Sequence, residues 1–254
     1  STLDTKEFAF GDFSENVSML AHWKDLKMYF GYNARPPYLT AFNKSSVHNW
    51  PNNRINDIFV DKYGNLIVAT FGGLLYHNVY TGQIINIEGK ISGQTGPCTS
   101  DTCLLKDKVI TSVEWGKNGI WYVGATDGGY FTRTAGQTWE RFTSIPLDAV
   151  VNDITVNKNG KGIYATSKGI YIVDPNDPTS NSYIDSSTIS NFGQSIRTIA
   201  VDENNIIWAG NDDGLLRIEN FNYFLLFNNS NGMRTNYVTS ITIVNKYVRY
   251  IGTA

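Results

Sequence analysis

The sequence is poor in the residues and patterns that identify several common classes of protein. It has two cysteines and three histidines, and none of the histidines lies at a zinc-ligand spacing from the cysteines. No apolar run approaches the roughly 18 residues of a membrane-spanning helix. Sustained 3.6-residue periodicity is missing, so we expect almost no helix. There is no phosphate-binding glycine loop and no ordering of residues that suggests a Ser-His-Asp triad.

The charge is nearly balanced. Twenty-one basic and 23 acidic residues give a net charge of −2 over 254 residues, and they form no basic stripe. A protein that binds DNA or RNA usually carries such a stripe as an electrostatic footprint. We therefore expect no nucleic-acid partner.

A repeat organises the chain. Six times an apolar residue, here called the anchor, is followed eleven positions later by Gly or Ala, and the anchors lie 38 to 55 residues apart. Propeller blades repeat at roughly 40–50 residues. The six pairs are Leu20/Gly31, Ile58/Ala69, Val113/Gly124, Ile154/Ala165, Ile199/Gly210 and Ile241/Gly252.

Each copy reads as two strands joined by a tight turn. In the third copy, residues 109–115 alternate, 116–119 form a turn and 120–123 resume with β-forming residues, which is typical of a hairpin. The small residue that closes the eleven-step is expected where neighbouring sheets approach closely. A second glycine four positions on predicts a third strand in four copies, and 137–142 and 223–227 predict fourth strands.

Repeated four-stranded antiparallel sheets predict an all-β, six-bladed β-propeller. We expect one domain, 1–254, with blades starting near 17, 54, 109, 150, 195 and 237. The sixth copy supplies two strands, 237–244 and 247–254, and an N-terminal strand at 5–10 could close the last blade. Three alternatives stay open: an incomplete last blade, a longer parent protein, or a strand donated by another chain.

The segments 198–215 (TIAVDENNIIWAGNDDGL), 57–66 (DIFVDKYGNL) and 153–160 (DITVNKNG) resemble the repeat of two-component-regulator propellers. The resemblance covers about five of the six copies. It implies a propeller fold and an extracellular sensor module of the kind found in bacterial hybrid histidine kinases. A fainter resemblance at 132–139 (TRTAGQTW) is to the Asp-box of sialidases, although Thr134 stands where the box has Asp.

Two features indicate the compartment. Cys98 and Cys103 lie in a Gly/Pro-rich segment and are close enough in sequence for a disulfide, which favours an oxidising compartment. Glycosylation sequons begin at Asn16, Asn43 and Asn228. Since the chain starts at Ser1 without an apolar leader, we expect that any targeting peptide was removed or was never included in this sequence. The predicted location is extracellular, periplasmic or at the cell surface.

Candidate ligand residues are predicted on the loops before each first strand and between each second and third strand, because these loops share one face of a propeller. Arginines meeting there could hold a carboxylate, as in a sialidase, whereas the alternative is that these are solvated loop residues. The residues are Asn33, Arg35, His48, Trp50, Arg54, Asp127, Arg197, Asp212, Asp213 and Arg234.

Polar residues also form a column next to the anchors. Asp57, Ser112, Asp153, Thr198 and Ser240 directly precede five anchors, and we interpret them as a buried hydrogen-bond network that ties strands to neighbouring loops. Glu114 directly follows an anchor. A buried carboxylate there would have a raised pKa, but a partner such as Lys108 or Arg133 would make its role structural.

The sequence therefore predicts a non-catalytic recognition, sensor or scaffold module with a protein or glycan partner, no membrane span, no cofactor and no metal ligands. Calcium binding at 211–214 is left open, because the spacing fits no defined calcium loop. One alternative is a sialidase-like enzyme, which requires at least three converging arginines, with Arg35, Arg54, Arg197 and Arg234 as candidates. Another is an assembly subunit whose incomplete sixth blade accepts a neighbour's strand.

Overall fold

The structure is a computed structural model. It describes residues 54–254 except 62, 79–80, 82, 92–96, 100–101, 117–118, 133–137, 186, 190–191 and 246–247. Contacts divide the chain into two compact units, Ser1–Val113 and Glu114–Ala254. The predicted first copy and the N-terminal strand 5–10 lie outside the described residues.

In its described part, the first unit holds one four-stranded antiparallel sheet whose strands follow in chain order. Its strands are β1 (Ile55–Val60), β2 (Leu66–Thr70), β3 (Gly73–His77) and β4 (Ile84–Ile87). All five residues of β2 are buried, and so are four of the five in β3. The middle of this sheet is therefore covered on both faces.

The remaining strands repeat the same pattern, and the division between the units falls within β5. Three more four-stranded sheets and one two-stranded sheet follow, each with its neighbouring strands paired in chain order. They are β5 (Ile110–Trp115), β6 (Trp121–Ala125), β7 (Gly128–Thr132) and β8 (Trp139–Arg141); β9 (Val151–Val156), β10 (Gly162–Thr166), β11 (Gly169–Val173) and β12 (Ser182–Ile184); β13 (Thr198–Val201), β14 (Ile207–Gly210), β15 (Leu215–Glu219) and β16 (Tyr223–Phe227); and β17 (Val238–Ile243) with β18 (Arg249–Thr253).

Asx turns close three of the hairpins between first and second strands. In each, one side-chain oxygen accepts the backbone amides two and four residues further on, at 2.8–3.0 Å. Such side-chain bonds replace backbone turn contacts and favour Asp or Asn at this position. The three residues are Asp61, Asn157 and Asp202.

The small residue of the eleven-step lies where two sheets meet, as predicted. A Cβ added to Gly210 would lie 2.4 Å from Val238 Cγ1, and one added to Gly124 would lie 2.3 Å from Val151 Cγ1. No side chain fits at these distances. The second glycine is required by the backbone conformation. Gly214 has φ +144°, which other residues rarely adopt, and an added Cβ would lie 2.2 Å from the Phe227 carbonyl oxygen.

The core of the second unit lies between consecutive sheets. Ile170 and Ile172 of the β9–β12 sheet pack with Ile199 and Leu216 of the β13–β16 sheet. Aromatic rings fill the preceding layer, where Phe142 is 4.3 Å from Phe131 between ring centres. Stacked sheets of this kind bury an apolar layer on each inner face.

These repeated antiparallel sheets are blades of a β-propeller, so the predicted fold class is confirmed. Helix is confined, within the described ranges, to a 3₁₀ turn at Pro178–Ser180. The predicted fourth strand 137–142 is shorter, Trp139–Arg141, whereas 223–227 forms β16 as predicted. The count of six blades, the single domain and the manner of closure stay predictions.

Candidate functional site

A polar cavity of about 510 Å³ opens in the second unit. The loop before β13 and the loop between β14 and β15 form most of its wall, and these are the two kinds of loop predicted to carry ligand groups. The cavity is the candidate functional site. Its lining residues are Asn152, Gly193, Gln194, Ser195, Arg197, Asn211, Asp212 and Asp213.

Asp213 and Asn211 hold the two loops of the cavity together. Gly193 donates its amide to Asp213 Oδ2 at 2.7 Å, and Asn211 Nδ2 donates to the Gly193 carbonyl at 3.1 Å. Asn211 Oδ1 in turn accepts the Asp213 amide at 2.8 Å. Because Asn211 is only 3% exposed, this set of bonds fixes the shape of the wall.

Arg197 is the arginine that lines the cavity, and it already has a partner. Its Nη2 donates to Asp212 Oδ1 at 2.6 Å, and its guanidinium carbon lies 4.5 Å from the centre of the Tyr237 ring. Both contacts favour a cation above an aromatic face with a neighbouring carboxylate. The positive charge at the cavity is therefore largely balanced before a ligand arrives.

Among the described residues Arg197 is the arginine that lines this cavity, and the cluster of at least three arginines expected of a sialidase-like site stays a prediction. Arg54 lies in the first unit, with its guanidinium carbon 3.7 Å from the centre of the Phe71 ring. Arg234 is exposed and is not among the lining residues. Asn33, Arg35, His48 and Trp50 lie outside the described residues.

Two further candidate carboxylates have local hydrogen-bond partners. Tyr130 Oη donates to Asp127 Oδ1 at 3.0 Å. The half-buried Glu114 accepts the amide of its neighbour Trp115 at 2.9 Å. Arg133, one of the partners considered for Glu114, lies outside the described residues. Neither carboxylate lines the cavity.

The polar column forms hydrogen bonds between the first strands of consecutive sheets, an arrangement we call a strand clasp. In the first clasp Asp57 Oδ2 accepts Ser112 Oγ at 3.1 Å and the Val113 amide at 2.9 Å. Beside it, Asn56 Nδ2 donates to the Ile110 carbonyl at 2.6 Å. One Asn-Asp doublet on β1 thus binds three polar groups of β5.

The second clasp repeats this geometry between β9 and β13. Asp153 Oδ2 accepts Thr198 Oγ1 at 2.9 Å and the Ile199 amide at 2.8 Å, and Asn152 Nδ2 donates to the Ile196 carbonyl at 2.6 Å. The predicted hydrogen-bond network is confirmed for these members of the column. Its expected partners were wrong, because the aspartates bind strands and not loops. The neighbouring first strand offers a hydroxyl and an amide on adjacent residues.

Burial of the Asp57 carboxylate raises its pKa above the ordinary value of 3.8, although the Val113 amide, the Ser112 hydroxyl and the Ile58 amide all donate to it. Neutral donors reduce the desolvation penalty without cancelling it. A raised carboxylate pKa is a feature of many active sites. Here it accompanies a structural contact.

Asp202, in the turn after β13, shows the opposite shift. Burial acts to raise its pKa, but the hydrogen bond from Arg249, with those from the Ile206 and Asn204 amides and from Trp208, brings the pKa below 3.8. Arg249 Nη2 lies 2.8 Å from Asp202 Oδ2. This ion pair joins the turn to β18.

Two other predicted features lie on surface segments. Cys98 and Cys103 are joined in a disulfide with their Cα atoms 5.5 Å apart. The half-buried Asn228 accepts the Ser230 amide at 3.0 Å, and its glycosylation stays a prediction, while Asn16 and Asn43 lie outside the described residues. Asp212 and Asp213 are engaged by protein groups in the loop where calcium was considered.

Sequence reasoning missed Asn152, Asn211 and the segment 193–195, all of which line the cavity. A signal for Asn152 was present, since the Asn-Asp doublet occurs at the same place in the second and fourth copies, 55–58 (INDI) and 151–154 (VNDI). The segment 193–195 has no counterpart in the repeat, so no comparison between copies could reveal it.

Residues 49–72 match the family described as two component regulator propeller. Over these residues the chain is similar to the repeat of that family. This repeat covers β1 and β2, with the Asx turn of Asp61 between them. The predicted resemblance to this family is confirmed for the second copy.

Solved structures resemble the chain in fold. A virginiamycin B lyase from Staphylococcus aureus matches with a TM-score of 0.59 at 14% identity, over 78% of this chain and 62% of the lyase. An ancestral GH74 enzyme matches with 0.54 at 14% identity, over 76% and 28%. The extracellular domain of a protein described as a hybrid two component system from B. thetaiotaomicron matches with a TM-score of 0.45 at 16% identity, over 81% of this chain and 33% of that domain.

The chain thus spans less than two thirds of each of these structures. At 14% identity the likeness to the lyase and to the GH74 enzyme shows the fold alone. No curated protein matches the sequence significantly. In the part of the chain that the structure describes, no helix is both long enough and apolar enough to cross a membrane.

Proposed function

We propose that this propeller is a non-catalytic recognition module of the cell exterior or periplasm, and that it binds a polar protein or glycan partner at the cavity beside Arg197. The observation that carries the proposal is that Arg197, Asp212 and Asp213 meet at one cavity and are already engaged by protein groups. Such a wall presents fixed polar groups to a partner, and each charged side chain that lines it within the described residues is paired with another protein group.

The pairing of the carboxylates supports a non-catalytic role. A glycosidase uses two carboxylates on opposite sides of the scissile bond, one as acid and one as base or nucleophile. At this cavity Asp213 binds the Gly193 amide and Asp212 binds Arg197. Either carboxylate would have to leave its partner before it could transfer a proton.

Exposed side chains in the same wall support recognition. Gln194 and Ser195 are exposed and line the cavity, and within the described residues their side chains make no hydrogen bond. An amide and a hydroxyl offer both donors and acceptors. They suit hydroxyl-rich glycans or the backbone of a peptide.

The location is supported by three sequence features. The family resemblance implies an extracellular sensor, a Cys98–Cys103 disulfide persists in an oxidising compartment, and the sequons at Asn16, Asn43 and Asn228 suit a secreted chain. The role of a longer parent protein would depend on the domains to which this propeller is joined.

The experiment is a glycan array probed with the labelled chain, followed by titration calorimetry of any glycan bound. The double variant Gln194→Ala/Ser195→Ala is expected to weaken binding at least about tenfold, which equals about 1.4 kcal/mol. Lys158→Ala, at an exposed hairpin turn, is the control and should bind as wild type.

Two results would contradict the proposal. Equal binding by the cavity variant and wild type would move the recognition surface elsewhere. Cleavage of the bound glycan, followed by mass spectrometry, would show an enzyme. If no glycan on the array binds, the glycan partner is ruled out and a protein partner remains. That partner would be sought by cross-linking at a photoreactive residue placed at position 195.

A further inference from the structure

Three groups with metal-binding atoms meet at the end of the first sheet. The Glu88 carboxylate and the Cys98 and Cys103 sulfurs lie within 4.8 Å of one another. The two cysteines are joined in a disulfide in this structure. Because the third group is a carboxylate brought in from the end of β4, no histidine is needed to form a three-ligand set.

Backbone hydrogen bonds hold these groups together independently of the disulfide. Leu105 donates its amide to the Glu88 carbonyl at 3.0 Å, and Leu104 donates to the Gly89 carbonyl at 2.8 Å. Lys90 and Cys103 form an antiparallel bridge beside them. Cys103 itself is 1% exposed. Breaking the sulfur–sulfur bond would therefore leave Cys103 beside Glu88.

The Glu88 side chain is half-buried, and within the described residues its carboxylate makes no hydrogen bond or ion pair. A carboxylate in such a position usually has a partner, since burial without one is costly. Its nearest functional neighbours are the two sulfurs. Glu88 also lines a depression of about 270 Å³ together with Lys106, which gives an ion a path from solvent.

We propose that the reduced chain binds one Zn²⁺ through the Cys98 and Cys103 thiolates and the Glu88 carboxylate, with water as the fourth ligand. A dithiol or a phosphine supplies the two electrons that break the disulfide, and the sulfurs take up two protons. Zinc binding then releases these two protons as the thiolates coordinate the ion. A small-molecule disulfide then takes the two electrons by thiol–disulfide exchange, which restores the Cys98–Cys103 bond and releases the metal.

The donor set favours zinc over calcium or magnesium. Thiolates are soft ligands that bind zinc, whereas calcium and magnesium need oxygen ligands. The spacing of four residues between the cysteines lies within the usual range for zinc sites. Two thiolates and a carboxylate leave a zinc complex with one negative charge, and the Lys106 ammonium, which donates to the Cys98 carbonyl at 3.0 Å, balances it.

The disulfide is suited to control metal binding because the ring of residues that it closes is short. It links residues five positions apart, and a short ring restricts the unfolded chain less than a long one does. Its removal should therefore leave the first sheet folded. The Cys98–Cys103 segment would be cross-linked by the disulfide under oxidising conditions and by the zinc ion under reducing conditions.

The experiment titrates the full chain with Co²⁺, as a coloured substitute for Zn²⁺, before and after reduction by a phosphine under argon. The reduced chain should bind one Co²⁺ with a thiolate-to-cobalt charge-transfer band and tetrahedral visible bands, and Zn²⁺ should displace it. The oxidised chain should show neither band. Circular dichroism follows the fold throughout.

Matched variants test each ligand. Glu88→Gln should weaken Co²⁺ binding at least about tenfold, in line with the loss seen when even outer-shell partners are removed. Glu140→Gln, an exposed glutamate on β8, should bind as wild type, and Cys98→Ser should abolish the charge-transfer band expected of a two-thiolate site.

Three outcomes would overturn the proposal. They are the absence of the charge-transfer band in reduced wild type, equal affinity of Glu88→Gln and wild type, and loss of the β-sheet spectrum on reduction. The last would show that the disulfide holds the site together and that no frame remains for the ion.

Discussion

Asp57 on the first strand of one sheet and Asp202 in a hairpin turn are covered aspartates with opposite pKa shifts. Burial raises the pKa of Asp57, whose partners are the neutral Val113 amide and Ser112 hydroxyl. Burial also acts on Asp202, but the Arg249 guanidinium and the turn amides lower its pKa. The difference lies in the partner, since both carboxylates are removed from water.

This comparison separates two uses of a buried carboxylate. Neutral donors in a strand clasp align two strands, but the ionised aspartate remains poorly compensated and lowers the stability of the fold. A guanidinium in a turn compensates the charge and joins two distant segments. Neither aspartate lines the cavity, so a perturbed pKa alone would have pointed to the wrong candidate site.

The largest expected effect comes from removing a clasp. Asp153→Ala takes the acceptor from the Ile199 amide and the Thr198 hydroxyl, and we expect the free energy of unfolding to fall by about 3 kcal/mol, because two covered donors lose their bonds. Urea unfolding measures this. Lys168→Ala, which removes a surface ion pair with Asp148, is the control and should leave the midpoint unchanged. A loss as small as the control's would show that the clasp contributes no stability.

A smaller loss is expected from the turn. Arg249→Met leaves the Asp202 carboxylate, whose side chain is 0% exposed, without its cation, and we expect a loss of about 2 kcal/mol. Thermal unfolding monitored by circular dichroism measures it. Arg217→Met is the matched control, because Arg217 also lies beside the Trp208 ring, at 5.8 Å, but pairs with Glu219. If both variants lose the same stability, the effect belongs to packing on Trp208.

The smallest effects should separate the two aspartates by pH. Asp202 has a lowered folded pKa, so the stability lost in Arg249→Met should be present at neutral pH and vanish as pH falls through that pKa. Asp57 has a raised folded pKa, so its ionisation destabilises the fold as pH rises from 3.8 to the folded value. Asp57→Asn should therefore cost most at low pH and less at neutral pH. Parallel trends in urea unfolding at acid and neutral pH would contradict the assigned partners.

Much of the fold was accessible from the sequence because it depends on local, repeated rules. Gly210 could be placed at a sheet contact from its spacing alone, and the structure puts Val238 in the space its side chain would need. The Asx turns were recognisable from their Asp and Asn residues. The exact end of β8 was not accessible, since the aromatic and polar residues of 137–142 allow strand or turn.

The site was harder to predict because its contacts cross long stretches of chain. Asn152, which lines the cavity, donates to the Ile196 carbonyl 44 residues away, and only the fold shows that these two segments are neighbours. The residues of 193–195 belong to an irregular loop that no periodic rule describes. Glu88 and Cys98 gave no joint motif, since the carboxylate reaches the cysteines through backbone pairing of Glu88 with Leu105.

The Asn-Asp doublets occur in the second and fourth copies, whereas the third and fifth copies have Thr111-Ser112 and Arg197-Thr198 at the same place. Each clasp therefore joins a copy whose aspartate accepts the hydrogen bonds to a following copy whose hydroxyl and amide donate them. A propeller engineered from this chain should be lengthened or shortened two copies at a time. Removal of a single copy would place an Asn-Asp doublet beside a copy that does not offer the matching hydroxyl. It would also leave a Ser or Thr hydroxyl of another copy without its aspartate acceptor.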